Sequence, residues 1–581
     1  MQDEGYQNEL FAYEIIDLLV QLGITYFCIA PGSRSTPLTL ACANHPSAET
    51  FIHFDERGLG YHALGYAKAT KKAAAVIVTS GTAVGNLMPA IMEAKESHTP
   101  MMILSADRPP ELRACGANQT IDQVKIFTSF VKWHFDLPCP DETIPASFLK
   151  SLLSHAVFNL HQHPFGVAHL NCMFREPLHS KDPNLKYPIQ KKIVRYAKNL
   201  KILPEEELNY LKNLMLKARN GLIVLGSLPC KQTAQDVLDF AKMIGWPVIC
   251  DIQSKARESI YKDVSIPYFE AIIKTKTAIA RPDFILYFGD RMVSKALNEW
   301  INQLTIHLLL ITEHEERFDP NLNFSYRVCC NISWLCKLLP VDSNICSSPL
   351  LGIYRSISND IAHLLSIYEL PKHTLQEPWI FYLLSKFIPI NWNLFIGNSN
   401  PIRDADGMFF PDAYEGRIFS NRGVSGIDGN ISTAIGVACA TKTPTVAVIG
   451  DLTFFHDVNS LYLLNDLATP VIVILINNGG GGIFSMLPIS LKEKEFARYF
   501  ATPHNHRLNN VSIGVWKAYQ TKSSKGFLEI FFSVIESAHS CIIEVVVDQK
   551  ENVDFRKQLV KYLSENICFQ PSLAAASSCP L

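Results

Sequence analysis

Two stretches, TVAVIGDLTF at residues 445–454 and PVIVILINNGGGGIF at residues 470–484, decide how this chain is read. Each starts as a short apolar, β-branched run suited to a fully buried strand. Each ends abruptly in polar residues, Asp451 after the first and Asn477 and Asn478 after the second. Helix-like sequence joins them, so a right-handed crossover returns the second strand parallel to the first. Asp451 and Asn478, 27 positions apart, then sit side by side at one sheet edge. A carboxylate, an amide oxygen and a freed backbone carbonyl at Gly480 form a hard oxygen set for Mg²⁺, a cation that keeps phosphate oxygens among its ligands. Four successive glycines cost roughly 0.5–1 kcal/mol each relative to alanine. A closely approaching diphosphate explains them, as glycines and helix N-termini both present N–H groups to phosphate. A tight strand exit capped by Asn accounts for the same letters without a ligand.

Outward from this unit, short apolar runs alternate with helical patterns three times over, which predicts an α/β chain of three doubly wound parallel-sheet domains. Strands are expected at 24–30, 50–54, 74–79 and 101–106, then at 221–226, 246–252, 284–289 and 306–311. The last third offers 394–397, 417–420, 445–450, 471–476 and 541–547. Polar segments at 179–192 and 342–349 separate the blocks. The expected domains are 1–185, 195–345 and 350–560, followed by a flexible tail at 561–581.

Composition bounds the function. Of 581 residues, 48% are apolar, enough for several cores, and 53 Lys and Arg nearly balance 55 Asp and Glu. A net charge of -2 offers no basic field for nucleic acid. No apolar run reaches the ~18 residues that cross a bilayer, and the acidic, polar opening MQDEGYQNEL is unlike a signal or transit peptide. Fifteen cysteines without C-x-x-C spacing read as reduced thiols of a cytoplasmic protein.

Ligands of open α/β sheets bind beyond the carboxyl ends of the strands. The loops there read PGSRSTP, DERGLG, SGTAVGN and ADRPPE in the first third, and GNSNPIR, NRGVSGIDG, GDLTF and NNGGGG in the last. In HFDERGLGYHA, Glu56 stands at a strand end just before a helix. Taken alone, it reads as an acid favoured by the helix dipole or as a partner of Arg57. GLGYHA loosely matches a dinucleotide turn, but Asp55, Glu56 and Arg57 crowd it.

Asp451 followed by the Asn477-Asn478 pair resembles the signature of the thiamine diphosphate enzymes, with Leu452 replacing the usual second glycine. Glu56 in the first sheet is similar to the carboxylate with which that family pushes the cofactor's aminopyrimidine towards its imino form. The resemblance implies thiamine diphosphate held between pyrimidine and pyrophosphate domains of different subunits, hence a homodimer or dimer of dimers. It also implies Mg²⁺, or Mn²⁺ in its place, on Asp451, Asn478 and the Gly480 carbonyl.

The segments APGSRSTPLTLA, HFDERGLG, TSGTAVGNL, ADRPPEL, GANQTI, SNRGVSGIDG and GGIFSMLP further resemble the 2-succinyl-5-enolpyruvyl-6-hydroxy-3-cyclohexene-1-carboxylate synthase family of menaquinone biosynthesis. Its substrates, 2-oxoglutarate and isochorismate, carry two carboxylates each, and arginine suits planar carboxylate recognition. By this resemblance, Ser33, Arg34, Arg108, Asn118, Gln119 and Lys295 surround the acceptor or the cofactor. Ser399, Arg403 and Arg422 grip the donor acid and its adduct, with Ser399 also at the cofactor. Ile427 wedges the cofactor, and Ile483 and Phe484 line the thiazolium or substrate pocket. Read singly, each arginine is a surface ion-pair partner and Ile427 a buried strand-end residue. Another thiamine diphosphate-dependent 2-oxo acid decarboxylase or carboligase, or a non-catalytic protein keeping the fold, would share much of this pattern. In the middle third, Lys255, Arg257 and Arg281 read either as a regulatory pocket or as a solvated face, and the face is the reading favoured.

Overall fold

The computed structural model describes residues 4–182, 193–258, 263–275, 279–339, 345–369, 374–508 and 517–567. Three all-parallel sheets follow one another along the chain. The first has the order Glu49–Ile52, Tyr26–Ile29, Ala74–Val78, Met101–Asp107, Val167–Met173, Trp133–Leu137. The third repeats this order with Ile418–Phe419, Asn393–Ile396, Thr445–Gly450, Val471–Asn477, Cys541–Val546, Lys517–Thr521. The middle sheet runs Tyr326–Cys329, His307–Thr312, Phe284–Phe288, Gly221–Leu225, Val248–Cys250.

Apolar clusters cover both faces of each sheet, which is why the central strands read as unbroken apolar runs. In the first and third sheets the chain reverses direction between the second and third strands of the order. The crevice at such a switch point is where these sheets bind ligands. In the third sheet it opens between the loops after Asn393–Ile396 and Thr445–Gly450.

All thirteen expected strands are present, with ends shifted by at most two residues. Four others, Trp133–Leu137, Val167–Met173, Tyr326–Cys329 and Lys517–Thr521, escaped the apolar pattern. Three are sheet edges, with one flank unpaired and mixed exposure. Val167–Met173 is fully buried yet carries His169 and Asn171, whose polarity is met by Ser105, Gln123, Asp107 and Asp136. Of the segment expected to separate the first two domains, 183–192 lies outside the described residues, as do 342–344 and the tail from 568. Helix Gln549–Asn566 continues through 561, where the tail was expected to begin.

The first and third domains meet through helices Glu56–Thr70 and Asn430–Thr441. At Gly65 a Cβ would run into the Thr433 carbonyl, and at Gly436 into that of His62, so each helix presents a glycine where the other's backbone comes closest. The middle and third domains share one apolar cluster, which joins Leu222 and Leu310 to Val448 and Ile474. Lys255 and Arg257 belong to this junction rather than to a solvated face. Arg257 pairs with Asp406 at 2.7 Å and donates to the carbonyls of Cys250 and Asp406, and Lys255 donates to that of Ile418. Arg281 is exposed.

Candidate active site

Parallel pairing sets Gly450 opposite Ile476, so Asp451 and the Asn477-Asn478 pair leave the sheet together. Asp451 opens helix Asp451–His456, and its buried carboxylate accepts three backbone N–H groups: Leu452 at 2.7 Å, Gly479 at 2.8 Å and Gly480 at 2.9 Å. Burial pushes its pKa upward while these N–H groups and His504 oppose the shift. His504 Nε2 lies 3.2 Å from the same carboxylate.

Asn478 is held by a residue the sequence did not single out. Its Nδ2 donates to Glu377 Oε1 at 2.7 Å, while Glu377 Oε2 accepts from Asn400 at 2.8 Å and Arg556 at 3.0 Å. The amide is thereby oriented, and its Oδ1 is buried without a hydrogen-bond partner among the described residues. A buried orphan acceptor costs on the order of 1–3 kcal/mol, and a cation would satisfy it. Asp451, Asn478 Oδ1 and a nearby backbone carbonyl are thus a donor set suited to a hard divalent ion. Asn477 is spent on structure: it donates to Glu544 and accepts from Arg507.

The glycine run is closely packed. Cβ atoms at Gly480 and Gly481 would meet the carbonyls of Ala501 and Phe500, and one at Gly482 would meet the Asn478 amide. Gly479 and Gly480 have φ of +79° and +143°, so the run turns back on itself. Close approach is indeed what it permits, and the group that approaches here is the chain's own 500–504 segment. Gly480 keeps its carbonyl on Gly482 N–H at 2.9 Å. Ile483 and Phe484 are half-buried, and the Phe484 ring packs edge-on to Phe500 at 5.8 Å.

Across the switch point, Asn398 ties two loops together by donating to the carbonyls of Asn421 and Gly426, and it accepts from Arg422 at 3.0 Å. This brings Ser399, Arg403, Arg422 and the half-buried Ile427 to one crevice. Ser399 adopts φ of +69°, and its carbonyl accepts from Arg403. Burial lowers the pKa of Arg422, and the Arg403 charge lowers it further. Glu93, fully buried in the first domain, holds the Arg422 loop through Gly423 N–H at 2.9 Å and Val424 N–H at 2.8 Å.

In the first domain Arg34 is buried, donates to Phe174 O at 2.9 Å and pairs with Glu176 at 2.7 Å. Arg108 reaches the same carboxylate at 3.7 Å and donates to the Asn118 carbonyl at 2.9 Å. Gln119 is pinned to the Ser80 carbonyl at 3.0 Å, while Ser33 is exposed. All five lie in loops beyond the carboxyl ends of the first sheet's strands, and Arg34 and Arg108 meet at Glu176, which the sequence did not mark. Lys295 joins neither cluster within the chain: its side chain is 79% exposed and faces Glu299. Glu56 begins its helix half-buried and accepts from Asn86 at 3.3 Å. The strand before it and the turn that follows leave Ile52 and Phe54 exposed at 64% and 59%. Glu377 and His504 have no spacing signal, since each reaches the site only through tertiary contact.

Three family profiles fall in chain order on this architecture. The thiamine pyrophosphate enzyme N-terminal TPP-binding domain matches residues 11–126, the middle domain 189–396, and the C-terminal TPP-binding domain 408–545. With sheets, switch points and profiles in the same register, the chain belongs to the thiamine pyrophosphate enzymes. A protein of Rubrobacter xylanophilus named 2-succinyl-5-enolpyruvyl-6-hydroxy-3-cyclohexene-1-carboxylate synthase is 35% identical over 95% of this chain and 98% of its own length. A synthase of the same name from Chlorobium phaeobacteroides is 36% identical over 94% of this chain and 96% of its own. Protein PHYLLO, chloroplastic, of Arabidopsis thaliana is 31% identical across the whole chain, which spans 36% of that longer protein. Within the thiamine pyrophosphate enzymes, the chain is a member of this synthase family.

Proposed function

We propose that the protein decarboxylates 2-oxoglutarate and adds the resulting succinyl unit to isochorismate, releasing CO₂ and 2-succinyl-5-enolpyruvyl-6-hydroxy-3-cyclohexene-1-carboxylate for menaquinone biosynthesis. The observation that carries the reading is the Asp451 and Asn478 pair at adjoining strand ends, its amide oriented and its oxygen unsatisfied, beside the Arg403 and Arg422 pair. Asp451, Asn478 Oδ1 and the Gly480 carbonyl would hold Mg²⁺ or Mn²⁺, and through it the diphosphate. Thiamine diphosphate, when bound, supplies the electron sink that makes loss of the 2-oxo acid's carboxylate feasible.

The chain's own groups bind, orient and exclude water. Arg403 and Arg422, with Ser399, would take the donor's carboxylates. Arg34, Arg108, Asn118 and Gln119, with Ser33 and Lys295, would receive the acceptor. Glu56 would present a carboxyl oxygen to the pyrimidine, Ile427 would pack against the cofactor, and Ile483 and Phe484 would keep the reacting centre dry.

Self-association as a homodimer or dimer of dimers, with sites between subunits, belongs to the same proposal. The apolar Ile52 and Phe54 exposed beside Glu56 support it, as large exposed apolar groups next to a functional residue suit an interface. A cytoplasmic setting is likewise proposed: the cysteines described are free thiols, and no helix among the described residues is long and apolar enough to cross a membrane.

The test is an omission series with thiamine diphosphate, Mg²⁺, 2-oxoglutarate and isochorismate, following isochorismate loss and CO₂ release. Every component is expected to be required, and Glu56→Gln is expected to remove most of the turnover. Isochorismate loss without 2-oxoglutarate or cofactor, or pyruvate replacing 2-oxoglutarate, would contradict the assignment.

A further inference from the structure

The middle sheet has a strand-edge cluster that this chemistry does not use. Phe284–Phe288 and His307–Thr312 are hydrogen-bonded neighbours, and the chain leaves them through Asp290 and His314 respectively. Gly289, at φ +84°, lies so close to the Ser227 carbonyl that a Cβ would strike it, which fixes the turn that places Asp290. Asp290 Oδ1 lies 2.5 Å from His314 Nε2. His314 is buried, and its Nδ1 has no partner among the described residues.

The third member arrives from another domain. His98 follows helix Met88–Glu96 at φ +48°, with its ring 4.8 Å from that of His314. Its Nε2 stands 3.9 Å from Asp290 Oδ2 and 3.8 Å from Glu316 Oε2. Both distances are too long for hydrogen bonds. Ligands around a tetrahedral ion with bonds of about 2.0–2.1 Å stand roughly 3.3 Å apart, so an ion would draw His98 in by about half an ångström and open the short Asp290–His314 hydrogen bond. One ligating atom each from His98, Asp290 and His314 lies within 4.8 Å of the others.

We infer that His98, Asp290 and His314 form a transition-metal site joining the first and middle domains, with Glu316 as fourth donor and Zn²⁺ as the ion the set suits. Two imidazoles and two carboxylates match zinc in number and softness, while Mg²⁺ prefers oxygen alone. The two carboxylates neutralise the dication and offset the repulsion from Arg291 and Arg317, which line the same cavity. The site borders a cavity of about 570 Å³ between the domains. Arg291, the residue after Asp290, donates to the Gly423 carbonyl next to Arg422, so the ion would brace the loop that carries the proposed donor arginine.

The full-length protein, saturated with Mg²⁺ and thiamine diphosphate, is dialysed against micromolar Zn²⁺ and its metal content measured. A parallel Co²⁺ titration reads the visible bands of tetrahedral cobalt. Wild type is expected to hold one more zinc per chain than His98→Gly or His314→Gln, and to show cobalt bands that both variants lose. Glycine accepts positive φ at residue 98 without strain, so His98→Gly is expected to keep wild-type Mg²⁺-dependent turnover without zinc. Asp451→Asn, which alters the proposed cofactor metal site instead, is expected to retain the cobalt bands. Equal zinc content in wild type and both histidine variants, or bands that vanish in Asp451→Asn and persist in His98→Gly, would overturn the inference. Because Asp451→Asn separates the two sites, failure here leaves the proposed synthase reaction standing.

Discussion

Glu377→Gln keeps shape and volume but turns one acceptor oxygen into a donor, and the geometry says which way the amide settles. Glu377 Oε2 receives two donors, from Asn400 and Arg556, whereas Oε1 receives only Asn478. Placing the new NH₂ at the Oε2 side creates two donor–donor clashes. Placing it at the Oε1 side creates one, which Asn478 relieves by rotating its amide so that Oδ1 faces residue 377. That rotation takes away the oxygen that was free for the metal and leaves an NH₂ in its place. A hydrogen bond to a charged group contributes about 1.5–3 kcal/mol, which is roughly a 10- to 150-fold change in an equilibrium constant at 1.36 kcal/mol per tenfold. Loss of a residue that orients a metal ligand typically weakens the metal by about 10- to 100-fold. Mn²⁺ binding in the presence of thiamine diphosphate, followed by electron paramagnetic resonance without substrates, measures this apart from turnover. Arg556 keeps its ion pair with Asp404, so the fold is expected to survive. Wild-type Mn²⁺ affinity in folded Glu377→Gln would refute the claim that Glu377 aims Asn478.

The arginines divide by experiment. Arg422→Ala is expected to raise the KM for 2-oxoglutarate at least ~10-fold and leave that for isochorismate nearly unchanged, with Arg108→Ala showing the reverse, since each truncation removes a charge-assisted contact; steady-state kinetics with each acid varied decides it. Gly65→Ala forces the helix pair apart at the Thr433 carbonyl and is expected to lose about 1–3 kcal/mol in chemical denaturation; an unchanged midpoint would show that the helices have slack. Asp457 is buried, accepting from Ser432 and Ser460, and desolvation pushes its carboxyl up to about 6 from 3.8. Because the folded value is the higher one, its stabilising contribution is full below pH ~4 and is lost as pH rises through about 6, a change of ~3 kcal/mol. Asp457→Asn is therefore expected to flatten the fall in thermal stability between those pH values, and a slope equal to wild type would count against it.

Much of the architecture was legible because central parallel strands are buried on both faces and so write themselves as unbroken apolar runs, as Thr445–Gly450 and Val471–Asn477 do. Edge strands such as Lys517–Thr521 did not, since one flank meets solvent, and Val167–Met173 hid behind polar residues satisfied only by distant partners. The pairing of Asp451 with Asn478 followed from period and handedness alone.

What the sequence determined by itself is the set of three parallel sheets and most of the polar residues standing at the carboxyl ends of their strands, because burial pattern and strand exits are written locally in the chain. Orientation and partnership came only from the tertiary structure. Glu377 turning Asn478, Glu176 gathering Arg34 and Arg108, the 500–504 segment filling the glycine run, and His98 reaching Asp290 and His314 all join residues far apart along the chain. Hydrogen bonds and close contacts are decided by distances of a few ångströms, and no spacing along a chain encodes those until it has folded.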